Sequence, residues 1–396
     1  MKMISKKIIS LLLVLSLLLI PALSAAAAVP IADTGEMQAE KEPTPFQVNA
    51  VSAILMEVST GKVLFAQNPD KALPPASVTK VMTLLLVMEA IAEGKLAYTD
   101  MVTASEHATS MGGSQIYLKV GEQMSVDDLL KSVVVASAND AALALAEHIS
   151  GSEEAFVRRM NERAAELGMR NTHFENTNGL DDTTQNHVTS ARDIAIMSAE
   201  LLKHRDILRY TTIWMDTVRD GAFGLTNTNR LIRFYPGATG LKTGSTSRAK
   251  FCISASAERN GMHLVAVIMA SPTRDIRNEE AKKLLDYGFA NYSLYKDEGK
   301  VLGKLSVLGG IKDDCSVSHP TFTAVLEKGK AGSITPKVTM QENLRAPILK
   351  GEVVGDVTYY AGEKKIGSVQ IVAEEDVGKI TFGSLFLRML KSFFMN

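Results

Sequence analysis

The chain has 396 residues, 46% of them hydrophobic and 22% charged, enough for one large core and a smaller second one. Its formal net charge of -1 gives no basic footprint, which excludes nucleic acid as an expected partner. Seven histidines and two cysteines have no metal-ligand spacing and no glycine-rich phosphate loop is present, so no metal or other cofactor is expected.

At the N-terminus Lys2, Lys6 and Lys7 precede an apolar run at 8–23, and Ser24-Ala25-Ala26-Ala27-Ala28 offers small residues for cleavage. This is the pattern of a secretory signal peptide over 1–28, which would place the protein outside the cytoplasm. Residues 29–44 are polar, with two prolines and several acids, and read as a linker. A catalytic domain is expected over 45–292, opening with strands at 51–58 and 63–66 around the turn Ser59-Thr60-Gly61-Lys62.

That turn is the first of four Ser-x-x-Lys matches, the others ending at Lys80, Lys250 and Lys296. Average usage of the two residues supplies roughly two such matches by chance in a chain this long. Ser77-Val78-Thr79-Lys80 stands apart because Pro74-Pro75 favour a helix start and the apolar run 81–90 suits a buried helix. A helix over 78–93 places Ser77 at its N-terminus and Lys80 one turn on, on the same face. There, unpaired backbone N–H groups would face any oxyanion forming beside the serine. Lysine serves as the base for such a serine only when desolvation and a second cation make its ammonium give up a proton near neutral pH. Lys242 is the candidate second cation.

Helices are next expected at 127–135 and 140–149, and Ser137-Ala138-Asn139 lies at the junction between them. From such a junction Ser137 could pass a proton and the Asn139 amide could hold a backbone carbonyl. Further helices are expected at 153–167, 191–204 and 278–292, and strands around 251–255 and 263–269. Lys242-Thr243-Gly244-Ser245-Thr246 follows the turn Tyr235-Pro236-Gly237-Ala238 and reads as an edge strand bordering a cleft. Gly244 would let a substrate backbone approach, while the Lys242 charge and the Thr243 hydroxyl suit a carboxylate. Strands at both ends with helices between them predict an α+β domain, an antiparallel sheet covered by helices.

The three motifs, in this order, resemble those of the low-molecular-mass penicillin-binding proteins, the serine D-alanyl-D-alanine carboxypeptidases. Asn176-Thr177-Asn178-Gly179-Leu180, His187 and Ser190-Ala191-Arg192-Asp193 resemble further stretches of that family. The resemblance implies a β-lactamase/DD-peptidase-like fold and acyl transfer through Ser77, with Lys80 as base and Ser137 as relay. It implies that Asn139, Lys242, Thr243, Gly244 and Ser245 meet the substrate, with backbone N–H groups of Ser77 and Ser245 as the oxyanion hole. Arg248 is a further candidate contact to the terminal carboxylate, on charge alone. The implied substrates are peptidoglycan stem peptides, and the implied inhibitors are β-lactams. A transpeptidase or endopeptidase would use the same residues, as would a β-lactamase-like hydrolase. The glutamate that a class A β-lactamase needs in Glu-x-x-Leu-Asn is absent from Glu166-Leu167-Gly168-Met169-Arg170-Asn171. A non-enzymatic wall-binding protein would not need every catalytic position filled.

From 293 to 376 short β-prone runs separated by glycine-rich turns predict a small β-rich domain, with no catalytic constellation. Cys252 and Cys315 fall in different expected domains, so no bridge is expected between them. Over 377–396 Phe382, Leu385, Phe386, Met389, Leu390, Phe393 and Phe394 share one face of a helical wheel, with Ser384, Arg388, Lys391 and Ser392 opposite. Such a basic amphipathic helix would attach the protein peripherally to the outer face of the cytoplasmic membrane.

Overall fold

The computed structural model describes residues 45–182, 184–330 and 333–394. The expected signal peptide and linker, 1–44, lie outside the described residues. Strands β1 (Ser52–Glu57), β2 (Val63–Gln67), β3 (Ala238–Thr246), β4 (Lys250–Arg259) and β5 (Met262–Ser271) form one sheet in the order β2-β1-β5-β4-β3. Every neighbouring pair is antiparallel, and β3 is an edge.

The β1–β2 turn explains why the first Ser-x-x-Lys match is structural. The buried Glu57 carboxylate accepts the backbone N–H groups of Ser59 and Thr60, at 3.1 and 2.8 Å, and both of their hydroxyls. Lys62 points away and donates to the Val325 carbonyl at 3.0 Å.

Six longer helices complete this part of the chain: α1 (Lys80–Ala92), α2 (Val126–Val135), α3 (Asn139–Ser150), α4 (Glu153–Glu166), α5 (Ala191–Lys203) and α6 (Arg274–Asn291). Ser125, Ser152, Ser190 and Thr273 cap α2, α4, α5 and α6, each hydroxyl accepting an N–H of the first turn. The Thr273 cap starts α6 at Arg274 rather than near 278, which brings Arg274 and Arg277 into the helix.

The period-two alternation of the strands divides the core between two faces. Ile54 and Met56 of β1 and Val265 and Val267 of β5 pack with α1 to α5, whereas Ala53, Leu55, Leu264 and Ala266 pack against Leu284 and Leu285 of α6. Helix α1 is buried nearly all round, including Val81, Leu84, Leu85 and Val87. Each such side chain contributes about 1.5–3 kcal/mol by burial, so α1 is the rigid post from which the site is built.

The change of texture expected at Ser293 falls at strand β6 (Tyr292–Asp297), directly after α6. There follow β7 (Lys300–Leu308), β8 (Asp314–His319), β9 (Phe322–Glu327), β10 (Ile334–Met340), β11 (Asn343–Arg345), β12 (Val353–Ala361) and β13 (Lys364–Ala373). Six of them form a sheet in the order β10-β12-β13-β8-β7-β11, and β6 pairs with β9. This domain has its own core, centred on Tyr359 stacked on Phe322 with ring centroids 3.9 Å apart. The whole is an α+β protein. Cys252 and Cys315 are both free and buried.

Helix α7 (Phe382–Phe394) ends the described chain, with a reciprocal cap between Thr381 and Ser384. Phe382, Phe386, Met389, Phe393 and Phe394 are exposed. Among the described residues no helix is long and apolar enough to cross a membrane.

Candidate active site

The Ser77 motif begins as a tight 3-10 turn, Ala76–Thr79, and only Lys80 onward is α-helix. The turn is strained at Ala76, whose φ is +49, and the junction motif is strained likewise at Ser137, with φ of +64. Left-handed conformations of this kind cost of order 1 kcal/mol or more each and persist only where surrounding structure enforces them.

That enforcement is visible around the turn. Gly179 packs so closely that a Cβ there would lie 1.9 Å from the Ala76 carbonyl oxygen. The loop carrying Gly179 is fixed in turn: the Asn176 amide oxygen accepts the Gly179 N–H at 2.7 Å, its amide nitrogen donates to the Leu180 carbonyl at 2.6 Å, and Thr83 donates to the Thr177 carbonyl at 2.6 Å. His187 binds the same turn, its Nε2 lying 2.8 Å from the Thr79 hydroxyl. Its Nδ1 accepts the Glu175 N–H at 3.0 Å, so the neutral Nε2–H tautomer donates to Thr79. Burial lowers His187 to about 4, which keeps it neutral.

Lys80 is fully buried, and its ammonium donates to Ser77 Oγ at 3.0 Å, to Asn139 Oδ1 at 2.5 Å and to the Asn178 carbonyl at 2.9 Å. Burial, then the charge of Lys242, hold its pKa well below the ordinary lysine range, against the opposing pull of Asp140. The Lys242 ammonium, also buried, donates to the Thr243 carbonyl at 2.8 Å and is brought to about 7 by burial and by Arg277. Two lysines stripped of water, each beside further positive charge, are the conditions under which an amine becomes a base near neutral pH.

These groups border a cleft of about 210 Å³ lined by Ser77, Ser114, Ser137, Thr228, Thr243, Gly244, Ser245, Arg274 and Arg277. Among the described residues this lining contains no carboxylate. Gly244 lies against the Ser77 turn, where a Cβ would come within 2.8 Å of the Ser77 nitrogen. The close approach brings strand β3 and the turn together, with Ser77 and Ser245 on the same cleft. The Thr243 hydroxyl donates to Thr228 at 2.8 Å.

Two expected contacts are placed differently. The Asn139 amide nitrogen donates to the Gly112 carbonyl at 2.7 Å and its oxygen faces Lys80, so Asn139 is buried behind the cleft instead of lining it. The Arg248 guanidinium donates to the carbonyls of Asp181 and Thr184, at 3.0 and 2.9 Å, and ties down that loop instead of facing the cleft. The cationic lining comes from Arg274 and Arg277, which the motifs did not reveal. Arg277 is buried, donates to Asn278 Oδ1 and the Cys252 carbonyl, and is lowered by burial and by Arg274 to about 10, so it stays charged at neutral pH. Thr228 and Ser114 were missed as well. The only sequence signal for the arginines was the capping threonine at 273.

A D-alanyl-D-alanine carboxypeptidase family model matches residues 36–273, and the model of the penicillin-binding protein 5 C-terminal domain matches 289–379. The chain is 43% identical over 350 residues to the D-alanyl-D-alanine carboxypeptidase DacF of Bacillus subtilis, covering 86% of this chain and 89% of that one. The structure of penicillin binding protein 5 from Haemophilus influenzae superposes with a TM-score of 0.75 at 36% identity, covering 85% of this chain and 100% of that one. Penicillin-binding protein D2 from Listeria monocytogenes, in its ampicillin-bound form, gives a TM-score of 0.57 at 31% identity over 62% of this chain and all of its own. Motif order, fold and relatives agree, and the chain belongs to the serine-type D-alanyl-D-alanine carboxypeptidases.

Proposed function

We propose that Ser77 is the nucleophile and Lys80 its base, acting on the amide between the two terminal D-alanines of a peptidoglycan stem peptide. The observation that carries this reading is the buried, pKa-lowered Lys80 amine held 3.0 Å from Ser77 Oγ. Neutral Lys80 takes the hydroxyl proton as Ser77 attacks the carbonyl carbon. The tetrahedral oxyanion forms against the N–H groups of Ser77 and Ser245. Ser137, which lines the cleft, passes the proton to the departing amine, and D-alanine leaves. Water then hydrolyses the acyl-serine by the same proton route in reverse. Arg277 holds the terminal carboxylate by its buried guanidinium, and Thr243 joins it by turning its hydroxyl from Thr228 toward the substrate. Lys242 keeps Lys80 deprotonated, and Asn139 and Asn178 fix the direction of its lone pair. β-Lactams enter as acylating inhibitors of the same serine, in line with the ampicillin-bound relative.

The test is release of free D-alanine from a Lys-D-Ala-D-Ala peptide. Ser77→Ala should abolish release and the mass shift that penicillin adds to the intact protein. Persistent release from that variant would sink the assignment.

The reading extends to location. Residues 1–28 serve as a signal peptide, 29–44 as a linker, 45–292 as the catalytic domain and 293–376 as a β-rich spacer. The exposed apolar face of α7 seats 377–396 in the outer surface of the cytoplasmic membrane. Deleting 385–396 should release active enzyme from membranes, and a truncated protein that still sediments with them would refute the anchor.

A further inference from the structure

A base must be aimed as well as deprotonated. A neutral Lys80 amine carries two N–H bonds and one lone pair. When Asn139 Oδ1 and the Asn178 carbonyl take the two N–H bonds, at 2.5 and 2.9 Å, the lone pair is left for the Ser77 hydroxyl at 3.0 Å. The aim of the base therefore depends on two segments outside the three motifs. One is 176–179, which supplies the Asn178 carbonyl. The other is 112–114, where the Gly112 carbonyl accepts the Asn139 amide nitrogen and the Ser114 carbonyl accepts its main-chain N–H at 2.7 Å.

Both segments run back to a pair of carboxylates at the corner between α3 and α4. Glu153, the first residue of α4, accepts the Thr177 N–H at 3.0 Å and the Thr177 hydroxyl at 2.8 Å, both on Oε1. Thr177 immediately precedes Asn178, and Thr83 holds its carbonyl at 2.6 Å. Glu147, in the last turn of α3, accepts the Ser105 hydroxyl at 2.6 Å. Ser105 caps the short helix Glu106–Thr109, which leads into 112–114. His107 of that helix stands between the two acids, its Nδ1 3.3 Å from Glu147 and its Nε2 3.7 Å from Glu153. The Glu153 and Glu147 side chains are only 15% and 18% exposed, so water competes weakly for these bonds. The dipole of α4 favours an acid at its first residue. It does not account for two bonds to a threonine in another loop.

We propose that Glu153 is a positioning residue for the reaction: through Thr177 it fixes the Asn178 carbonyl, and with it the direction in which Lys80 presents its lone pair to Ser77. Glu147 and His107 brace the segment that fixes Asn139. The proposal rests on Lys80 as the base. Glu153 does not line the cleft and gives or takes no proton in the cycle.

Losing the contact has a definite sign. An ammonium bonds a carbonyl more strongly than an amine does, so an Asn178 carbonyl that drifts from Lys80 disfavours the charged form. The base is then free of its proton at lower pH, yet aimed less well. Lys242 and Asp140, the charged neighbours of Lys80, stay in place. The acid limb of kcat/KM should therefore move down while the plateau falls. Simple loss of folded protein lowers the plateau and leaves the limb where it was.

The test follows D-alanine release from Lys-D-Ala-D-Ala, with kcat expressed per site titrated by penicillin so that unfolded protein is not counted. Glu153→Ala should lower kcat about tenfold with KM changed less than about twofold, and should move the acid limb down by about half a pH unit. Glu153→Gln keeps an oxygen that accepts from Thr177 and should restore kcat to within about threefold of the parent. Thr177→Val, which removes one of the two bonds, should fall between them. Glu154→Ala takes an exposed acid from the same turn of α4 and should stay within about twofold. A Glu153→Ala enzyme with parental kcat, one with an unmoved acid limb, or a Gln variant as impaired as the Ala variant would overturn the positioning role. The Lys80 assignment falls separately, by a Lys80→Ala protein that penicillin acylates at the parental rate.

Discussion

Gly244→Ala is the substitution for which the structure gives the sharpest number. An added Cβ would stand 2.8 Å from the Ser77 nitrogen, 2.9 Å from the Pro75 carbonyl oxygen and 3.0 Å from the Val78 nitrogen. All three are backbone atoms, so no side chain can swing aside. To reach 3.4 Å, where ordinary contact begins, strand and turn must part by 0.6 Å from 2.8 Å. That separation moves the Ser77 N–H relative to the Ser245 N–H, and misplacing or losing one oxyanion donor costs about 10²–10³ in kcat. We expect kcat for D-alanine release from Lys-D-Ala-D-Ala to fall about 10²-fold, roughly 2.7 kcal/mol of transition-state stabilisation. Overpacking on this scale costs roughly 1–3 kcal/mol of stability, so the melting temperature should drop by only a few degrees. Gly224→Ala is the control, because a Cβ there meets nothing within 4 Å. A Gly244→Ala enzyme that keeps kcat within threefold of the parent would refute the idea that this approach sets the oxyanion site.

Three further outcomes are expected. Removing the Lys242 charge by Lys242→Gln takes away the principal neighbouring cation that holds Lys80 low, so the acid limb of the kcat/KM profile should move to higher pH, and an unmoved limb would leave Lys242 with carboxylate binding alone. Burial depresses His187 to about 4 from an ordinary 6.5, so the stability it contributes is complete above pH 6.5 and is lost as pH falls toward 4, by roughly 3 kcal/mol at most. His263 is depressed over the same window, so in denaturant melts His187→Gln should remove about half of that pH slope, and an unchanged slope would assign the effect elsewhere. Gly179→Ala, which drives a Cβ to 1.9 Å from the Ala76 carbonyl, should destabilise the Ser77 turn and abolish penicillin labelling even where circular dichroism shows retained helix.

The parts of the site that were legible in the sequence are those the chain carries contiguously. Ser77 and Lys80 share a turn, Ser137 and Asn139 share a junction, and 242–245 share a strand, so each short motif fixes its own local geometry. What sequence spacing cannot carry is which side chain turns toward the cleft. Asn139 was readable as a site residue, yet its amide oxygen accepts from Lys80 and its amide nitrogen donates to the Gly112 carbonyl, a choice made by the packing of 112–114 against α3. Charge alone suggests a reach for Arg248, and the carbonyls of Asp181 and Thr184 take it up. Arg277 has no motif because its position depends on the helix phase that Thr273 sets. Within the fold, apolar runs and turn signals placed the helices to within a few residues, the run at 81–90 marking α1 because that helix is buried nearly all round. The start of α6 escaped because capping, not periodicity, decides it.

The cleft wall of hydroxyls and guanidiniums has a consequence in time. No acidic side chain stands among its described lining, and in the roles proposed above Lys80 and Ser137 serve both half-reactions, so that the groups that help the amine out also bring water in. A natural acyl chain clears the way when its amine departs. An inhibitor that opens without losing a fragment leaves its own bulk where the water must stand. On that proposed assignment deacylation waits on the same two groups, and the lifetime of the adduct, measured against the time a cell takes to divide, decides how much wall is trimmed before new copies are made.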